Sequence, residues 1–190
     1  MIRTVLFFLV FLALRATPGQ AQSTAATDVP ALPNGRPAHY KTPPKTKNRL
    51  FFIQRNLNQN TIVYDAKLNA DGSFQSDPID AYWLRYGSTG ERKELTWLQR
   101  TFAYGYNAKR DKKNGSYWVT LTAWDGRKIH LHKDSSGKPV ATLTIDGKYA
   151  RLDYIWVYAD NSGTWPKVFH VDLHGTDMLT GRPVFERIKN

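Results

Sequence analysis

The chain has 190 residues and a formal net charge of +11, from 27 Lys and Arg against 16 Asp and Glu. Its 41% hydrophobic and 13% aromatic content excludes a wholly disordered chain, and its length suits one domain that can bury a core without covalent staples. The absence of cysteine excludes disulfides, thiolate metal sites, cysteine nucleophiles and a lipid-modified N-terminal cysteine.

Met1-Ile2-Arg3, an apolar run over residues 5–14, a Pro18-Gly19 break and Ala21 follow the grammar of a secretory signal. A run that short does not span the ~30 Å hydrocarbon core as a helix. Residues 1–21 are therefore read as a signal peptide. The expected mature chain is exported to the periplasm or beyond, is not a lipoprotein, and has no transmembrane segment after cleavage. Cleavage after Ala21 leaves 25 basic and 16 acidic side chains, or +9. Residues 22–48 change to Thr, Ala, Pro and Lys, with Pro30, Pro33, Pro37, Pro43 and Pro44 spaced against any helix or central strand. A disordered tail is expected there, either a solvated linker or a basic arm resting on an anionic partner.

Residues 49–190 read as a single β-rich domain. Residues 50–55 and 61–65 are short aromatic and β-branched runs joined by an Asn-rich loop, as in a hairpin. Asp71-Gly72 and Asp77-Pro78 mark turns, and residues 79–86 form a third strand with apolar or amphipathic side chains on both faces. Ser88-Thr89-Gly90-Glu91 matches a capping box, and Leu95, Leu98 and Phe102 then fall at helical spacing. One packed amphipathic helix over about residues 89–104 is expected between the third and fourth strands. A polar loop over 107–115 follows, then strands at 117–124, 128–133, 140–146, 149–160, 167–174 and 183–188, with Asp125-Gly126, Ser136-Gly137, Asp146-Gly147 and Thr180-Gly181 among the turns. The expectation is a mainly β, antiparallel barrel or sandwich of about nine strands.

Signatures of familiar chemistry are missing. Gly137-Lys138 is followed by Pro139 where a phosphate loop needs Ser or Thr, and neither a dinucleotide glycine fingerprint nor a nucleophile elbow occurs. No residue is assigned a catalytic role. His130 and His132 are two apart, as are His170, Asp172 and His174, so two strands could each present a pair on one face. Imidazoles in that spacing suit a divalent metal, giving His130, His132, His170 and His174 as candidate ligands of a metal-binding protein or metal-dependent hydrolase. The competing reading is a polar outer face, because Ile129, Leu131, Val171 and Leu173 occupy the opposite one. Trp83, Trp97, Trp118, Trp124, Trp156 and Trp165 serve either core packing or sugar stacking, and Trp165, beside Pro166, is the one expected to be exposed. Charge alone would admit nucleic acid, but export and the lack of a recognition helix argue against it.

Four stretches carry a resemblance: residues 50–65 (LFFIQRNLNQNTIVYD), 78–86 (PIDAYWLRY), 94–105 (ELTWLQR running into FAYG), and Gly175-Thr176-Asp177 with Thr180-Gly181. The chain resembles a family of exported bacterial proteins known only as a domain of unknown function, the DUF4833-type family. The resemblance implies an exported single-domain protein and brings no established activity, cofactor or site with it. The same stretches place Arg55, Asn56, Trp83, Arg85, Arg100 and Tyr104 among aromatics, a set suited to a carboxylate, phosphate or sugar at a barrel mouth. The functional expectation is a non-catalytic binding or envelope-associated domain for an anionic or sugar-like ligand, its partner an anionic envelope component, a polysaccharide or a small molecule.

Overall fold

Alternating apolar and polar residues build one continuous sheet in a computed structural model that describes residues 35–163 and 167–189. The signal segment, the start of the tail and Trp165 lie outside the described residues. The elements in chain order are β1 (Arg49–Arg55), β2 (Asn58–Leu68), β3 (Phe74–Leu84), β4 (Arg92–Glu94), a helical turn α1 (Trp97–Gln99) that runs into a π-helical turn (Arg100–Tyr104), β5 (Tyr106–Arg110) and β6 (Tyr117–Leu121). Then come β7 (Trp124–Lys133), β8 (Pro139–Ile145), β9 (Lys148–Asp160), β10 (Lys167–Asp177) and β11 (Pro183–Lys189). No helix among the described residues is long and apolar enough to cross a membrane.

The sheet is organised around β9, which has 13 residues. Its first part, Lys148 to Arg151, pairs antiparallel with β8, and further along the same edge Tyr154 to Val157 pair in parallel with Phe52 to Arg55 of β1. The other edge of β9 pairs with β10, outside which lies β11. Two meanders, β1–β4 and β5–β8, therefore fork from one edge of a single strand. Their apolar faces turn toward each other in one core, into which Phe51, Ile62, Tyr64, Ile79, Ile129, Leu131, Leu152 and Leu173 are packed almost without exposure. The far ends of the two arms meet through side chains. Phe74 of β3 lies edge-on to Tyr117 of β6 at 6.1 Å, while the Tyr106 hydroxyl accepts the Ile79 amide at 3.1 Å and reaches the Asp77 carboxylate. The result is a curled half-barrel.

Several expectations change. The sheet is mixed, because β1 and β9 run parallel, and the described residues form eleven strands where about nine were expected. The polar stretch read as a loop at 107–115 contains most of β5, which pairs with β6 from Tyr106 to Arg110. The turn expected at Asp125-Gly126 lies inside β7; the chain reverses at Thr122-Ala123, with Leu121 facing Trp124. The helix follows the fourth strand and not the third. Ser88 and Gly90 donate to the Arg85 carbonyl in a turn completed by the positive φ of Gly90 (77°), and residues 92–94 add to the edge of β3. Arg92 explains the preference. Its guanidinium lies 3.9 Å from the Tyr82 ring centroid and pairs with Asp80 at 2.9 Å, contacts that a helix over the same residues would forgo. The capping box sits instead at Thr96 and Gln99, whose side chains and amides exchange hydrogen bonds of 3.3 and 3.0 Å. Nor is this turn an amphipathic helix lying on the sheet: Leu95, Ala103 and Tyr104 are buried, but Trp97 is 71% exposed and Leu98 39%.

The proline-rich segment also departs from expectation over residues 35–48, which lie across the outer face of β1 and β9 as a strap. Tyr40 packs edge-on against Trp156 at 5.0 Å and donates to the Asn56 carbonyl, Gln54 donates to the Lys41 carbonyl at 2.7 Å, and Arg36 lies over the Tyr154 ring at 5.4 Å. Arg36 and Tyr40 are both buried, so this stretch is not a disordered tail.

Candidate functional site

Side-chain parity along β1 puts Phe51, Ile53 and Arg55 on the core face, so the strand that begins as core ends by carrying a guanidinium into the half-barrel. Arg55 is 8% exposed. It donates to the Tyr104 hydroxyl, and its charge lies 5.3 Å from the Trp83 ring and 5.8 Å from the Tyr104 ring. No carboxylate among the described residues pairs with it, and its Nε makes no hydrogen bond. Ring faces and one phenol offset only part of the cost of burying a guanidinium.

Beside Arg55 opens a cavity of about 50 Å³, walled by Ile53, Leu121, Trp124, Ile155, Val157 and Val171, with Leu57, Val168 and three alanines completing it. Arg55 and Tyr104 are its polar side chains apart from the Trp124 indole. Tyr104 is placed by the π-helical turn: its carbonyl accepts the Tyr64 hydroxyl at 2.9 Å, and its ring meets Trp83 edge-on at 5.1 Å. Burial raises the Tyr104 phenol above its ordinary range, which keeps it a neutral donor and acceptor. Gly105 lets the turn close, since a Cβ there would stand 1.9 Å from the Arg100 carbonyl oxygen. The arrangement is an apolar pocket with one unneutralised cation and one neutral hydroxyl, which suits an anion attached to a short apolar group.

Of the six residues expected to bind a ligand, the structure unites three: Arg55, Trp83 and Tyr104. Trp83 is a buried wall behind the guanidinium, its indole N–H donating to Gln99 at 3.2 Å. Asn56 has a structural role, because its amide exchanges hydrogen bonds of 2.8 and 2.9 Å with the Ala159 backbone in place of a strand pair. Arg85 does not line the pocket, and Arg100 pairs with Glu94 at 2.9 Å.

The histidines do not converge. His130 and His132 stand on the outer face of β7 and His170 and His174 on that of β10, with β8 and β9 between them, and no three His, Asp or Glu side chains among the described residues group as metal ligands. His132 Nδ1 lies 3.0 Å from the Lys133 carbonyl, which can only accept, so Nδ1 carries a proton, and Nε2 lies 3.1 and 3.2 Å from the hydroxyls of Thr142 and Tyr149. His174 is buried, stacked on Tyr154 at 4.1 Å, and burial lowers its pKa to about 4. Next to it the fully buried Asp172 takes both nitrogens of a bidentate Arg187 at 2.7 Å.

A family model described as Domain of unknown function (DUF4833) matches residues 51–187. The chain belongs to this family. The DUF4833 match runs from β1 into β11, so it contains Arg55, Trp83, Tyr104 and the whole pocket wall and leaves the strap outside. No curated protein and no solved structure matches the chain. Sequence reasoning on the DUF4833 domain missed the apolar wall contributed by Leu121, Trp124, Val157 and Val171, which comes from strands far apart in the chain. A usable signal was present for Arg55: it shares the parity of Phe51 and Ile53, which marks a cation on a core face.

Proposed function

We propose that this is an exported, non-catalytic binding domain whose pocket takes a small anion bearing a short apolar group. The observation that carries the reading is the Arg55 guanidinium, buried without a carboxylate partner at the wall of an otherwise apolar cavity. An anionic ligand would supply the missing counter-charge, accept the free Nε–H, and take a further hydrogen bond from Tyr104. The size of the cavity supports a short group. An apolar cavity of ~150 Å³ holds benzene, so about 50 Å³ is room for roughly two or three carbons. The lining supports binding over catalysis, because its side chains offer neither carboxylate nor imidazole to transfer protons. Export rests on the signal grammar of residues 1–21 and would be checked by the mass of the mature chain, expected to begin at Gln22.

Calorimetric titration with butanoate, and with butan-1-ol as the neutral counterpart, tests the reading. The carboxylate should bind and the alcohol should not, and Arg55→Met should weaken the carboxylate by about tenfold or more. In the absence of ligand the same variant should be at least as stable as the natural protein, because an apolar chain of similar length replaces a buried, unpaired charge. Equal butanoate affinity in the two proteins would rule the pocket out as an anion site.

A further inference from the structure

Away from the pocket, on the outer face of the second arm, the register aligns Lys109 of β5, Trp118 of β6 and His130 of β7 in one row across the sheet. Trp118 is 43% exposed although it lies within β6 and is paired on both sides. It is held from behind by rings: His130 stacks on it at 4.4 Å with planes 17° apart, and His132 stacks on His130 at 4.7 Å. Each imidazole is itself fixed, His130 by the Ser116 hydroxyl at 2.9 Å and His132 by Lys133, Thr142 and Tyr149. The indole is thus a pre-set plate with little side-chain freedom left to lose on binding.

Its exposed surface lines an open groove of about 640 Å³ that also presents Asn107, Lys109, Arg110, Lys112 and Lys128. Among the described residues none of these four cations forms an ion pair. The one acid in the lining, Asp111, is engaged in the β5–β6 turn, where its carboxylate accepts the Lys113 amide at 2.9 Å. Arg110 reaches a second groove of about 440 Å³, lined further by Ser116, His130, His132 and Lys133, so two basic clefts adjoin along the same face.

We propose that this face binds an acidic polysaccharide, with Trp118 stacking on a sugar ring and Lys109, Arg110 and Lys128 meeting its carboxylates. Adjoining open grooves suit a polymer better than a small molecule, and four unpaired cations against the single acid Asp111 supply the charge complementarity. Asn107 and Thr120 offer short polar groups for sugar hydroxyls. A platform for single-stranded nucleic acid stacks successive bases on several rings, whereas this groove has a single exposed ring. The site is separate from the Arg55 pocket and does not depend on it.

Affinity electrophoresis of the mature chain through gels containing polygalacturonate, neutral dextran or no polymer tests the proposal. Polygalacturonate should retard the protein in a salt-sensitive manner and dextran should not. Trp118→Ala should weaken retardation by about tenfold at an unchanged melting temperature. Should that variant melt early, Lys109→Gln with Lys128→Gln, both at exposed positions, should still remove most of the salt-sensitive binding. Retardation by polygalacturonate that neither variant reduces would overturn the proposal, as would equal retardation by dextran or tighter binding of oligo-dT than of polygalacturonate.

Discussion

His174 shows how one residue on the outer face can make the stability of the domain depend on pH. Burial against Tyr154 and Phe185 is the main cause of its lowered pKa, with Arg36 and Arg187 adding to the effect and Asp172 and Asp153 opposing it. The folded ring gains its proton only near pH 4, whereas the unfolded chain takes it up near 6.5. Between those values the unfolded state binds more protons, so the contribution of His174 is complete above pH 6.5 and is lost as pH falls toward 4. The full effect is on the order of 2–3 kcal/mol. Urea denaturation over this range should show stability falling with pH in the natural protein and a distinctly shallower fall in His174→Phe. Parallel slopes would show that the ring does not titrate differently in the two states. Alternation with Val171 and Leu173 placed His170 and His174 on the face opposite the core, but only the strap and the β11 side chains packed over that face explain why one of them is buried.

At the scale of elements, the π-helical turn matters most, because it delivers Ala103 and Tyr104 to the pocket while its neighbours Trp97 and Leu98 stay exposed. The extra residue in the turn brings the Arg100 carbonyl against the Gly105 Cα, a backbone contact that cannot be relieved by rotating a side chain. Gly105→Ala should therefore destabilise the domain by about 2 kcal/mol or more and weaken ligand binding at Arg55 with it. Gly126→Ala is the control, since its Cβ would meet the Trp124 indole nitrogen at an ordinary 3.7 Å. Chemical denaturation of both variants decides the point: similar losses would mean that the close approach at Gly105 is not the cause. The helical period in residues 95–102 was legible, yet its start was misplaced by a capping-box pattern at Ser88–Glu91. Polar residues such as Arg92-Lys93-Glu94 carry no period, so the free edge of β3 and the Tyr82 ring settled their conformation.

Considered as a whole, the molecule depends on closure at two places that lie far apart in the chain. Tyr106 and Tyr117 join the open ends of the two arms on the inside, and the strap seals the centre of the sheet on the outside. Trp156 is 1% exposed with Tyr40 edge-on against it, and Gln54 is fully buried beneath the same segment. Tyr40→Ala should cost about 3 kcal/mol and shift the tryptophan emission to longer wavelength as Trp156 meets water. Unchanged emission and stability would show that the strap does not seal this face in solution. The family match begins at residue 51, so this cover belongs to the chain outside the matched range.

From the sequence by itself came the β class, the core parity of strands such as Ile129–Leu131 with histidines on the opposite face, and the stretches that mark the family. All of these depend on residues near one another in the chain, where side-chain alternation and turn residues act directly. The sequence also offered six residues for a ligand, of which the structure brings Arg55, Trp83 and Tyr104 together. Tertiary structure alone decided the parallel pairing of β1 with β9, because the choice of partner depends on which strand edge remains free, and no local pattern encodes that. It also decided that residues 35–48 are a strap, since proline excludes regular ladders but not packing against Trp156. The pocket belongs to the same class: its walls come from β1, β6, β7, β9 and β10. Whether Arg55 ends in water or in an apolar cavity without a counter-charge is settled only when those strands curl around it.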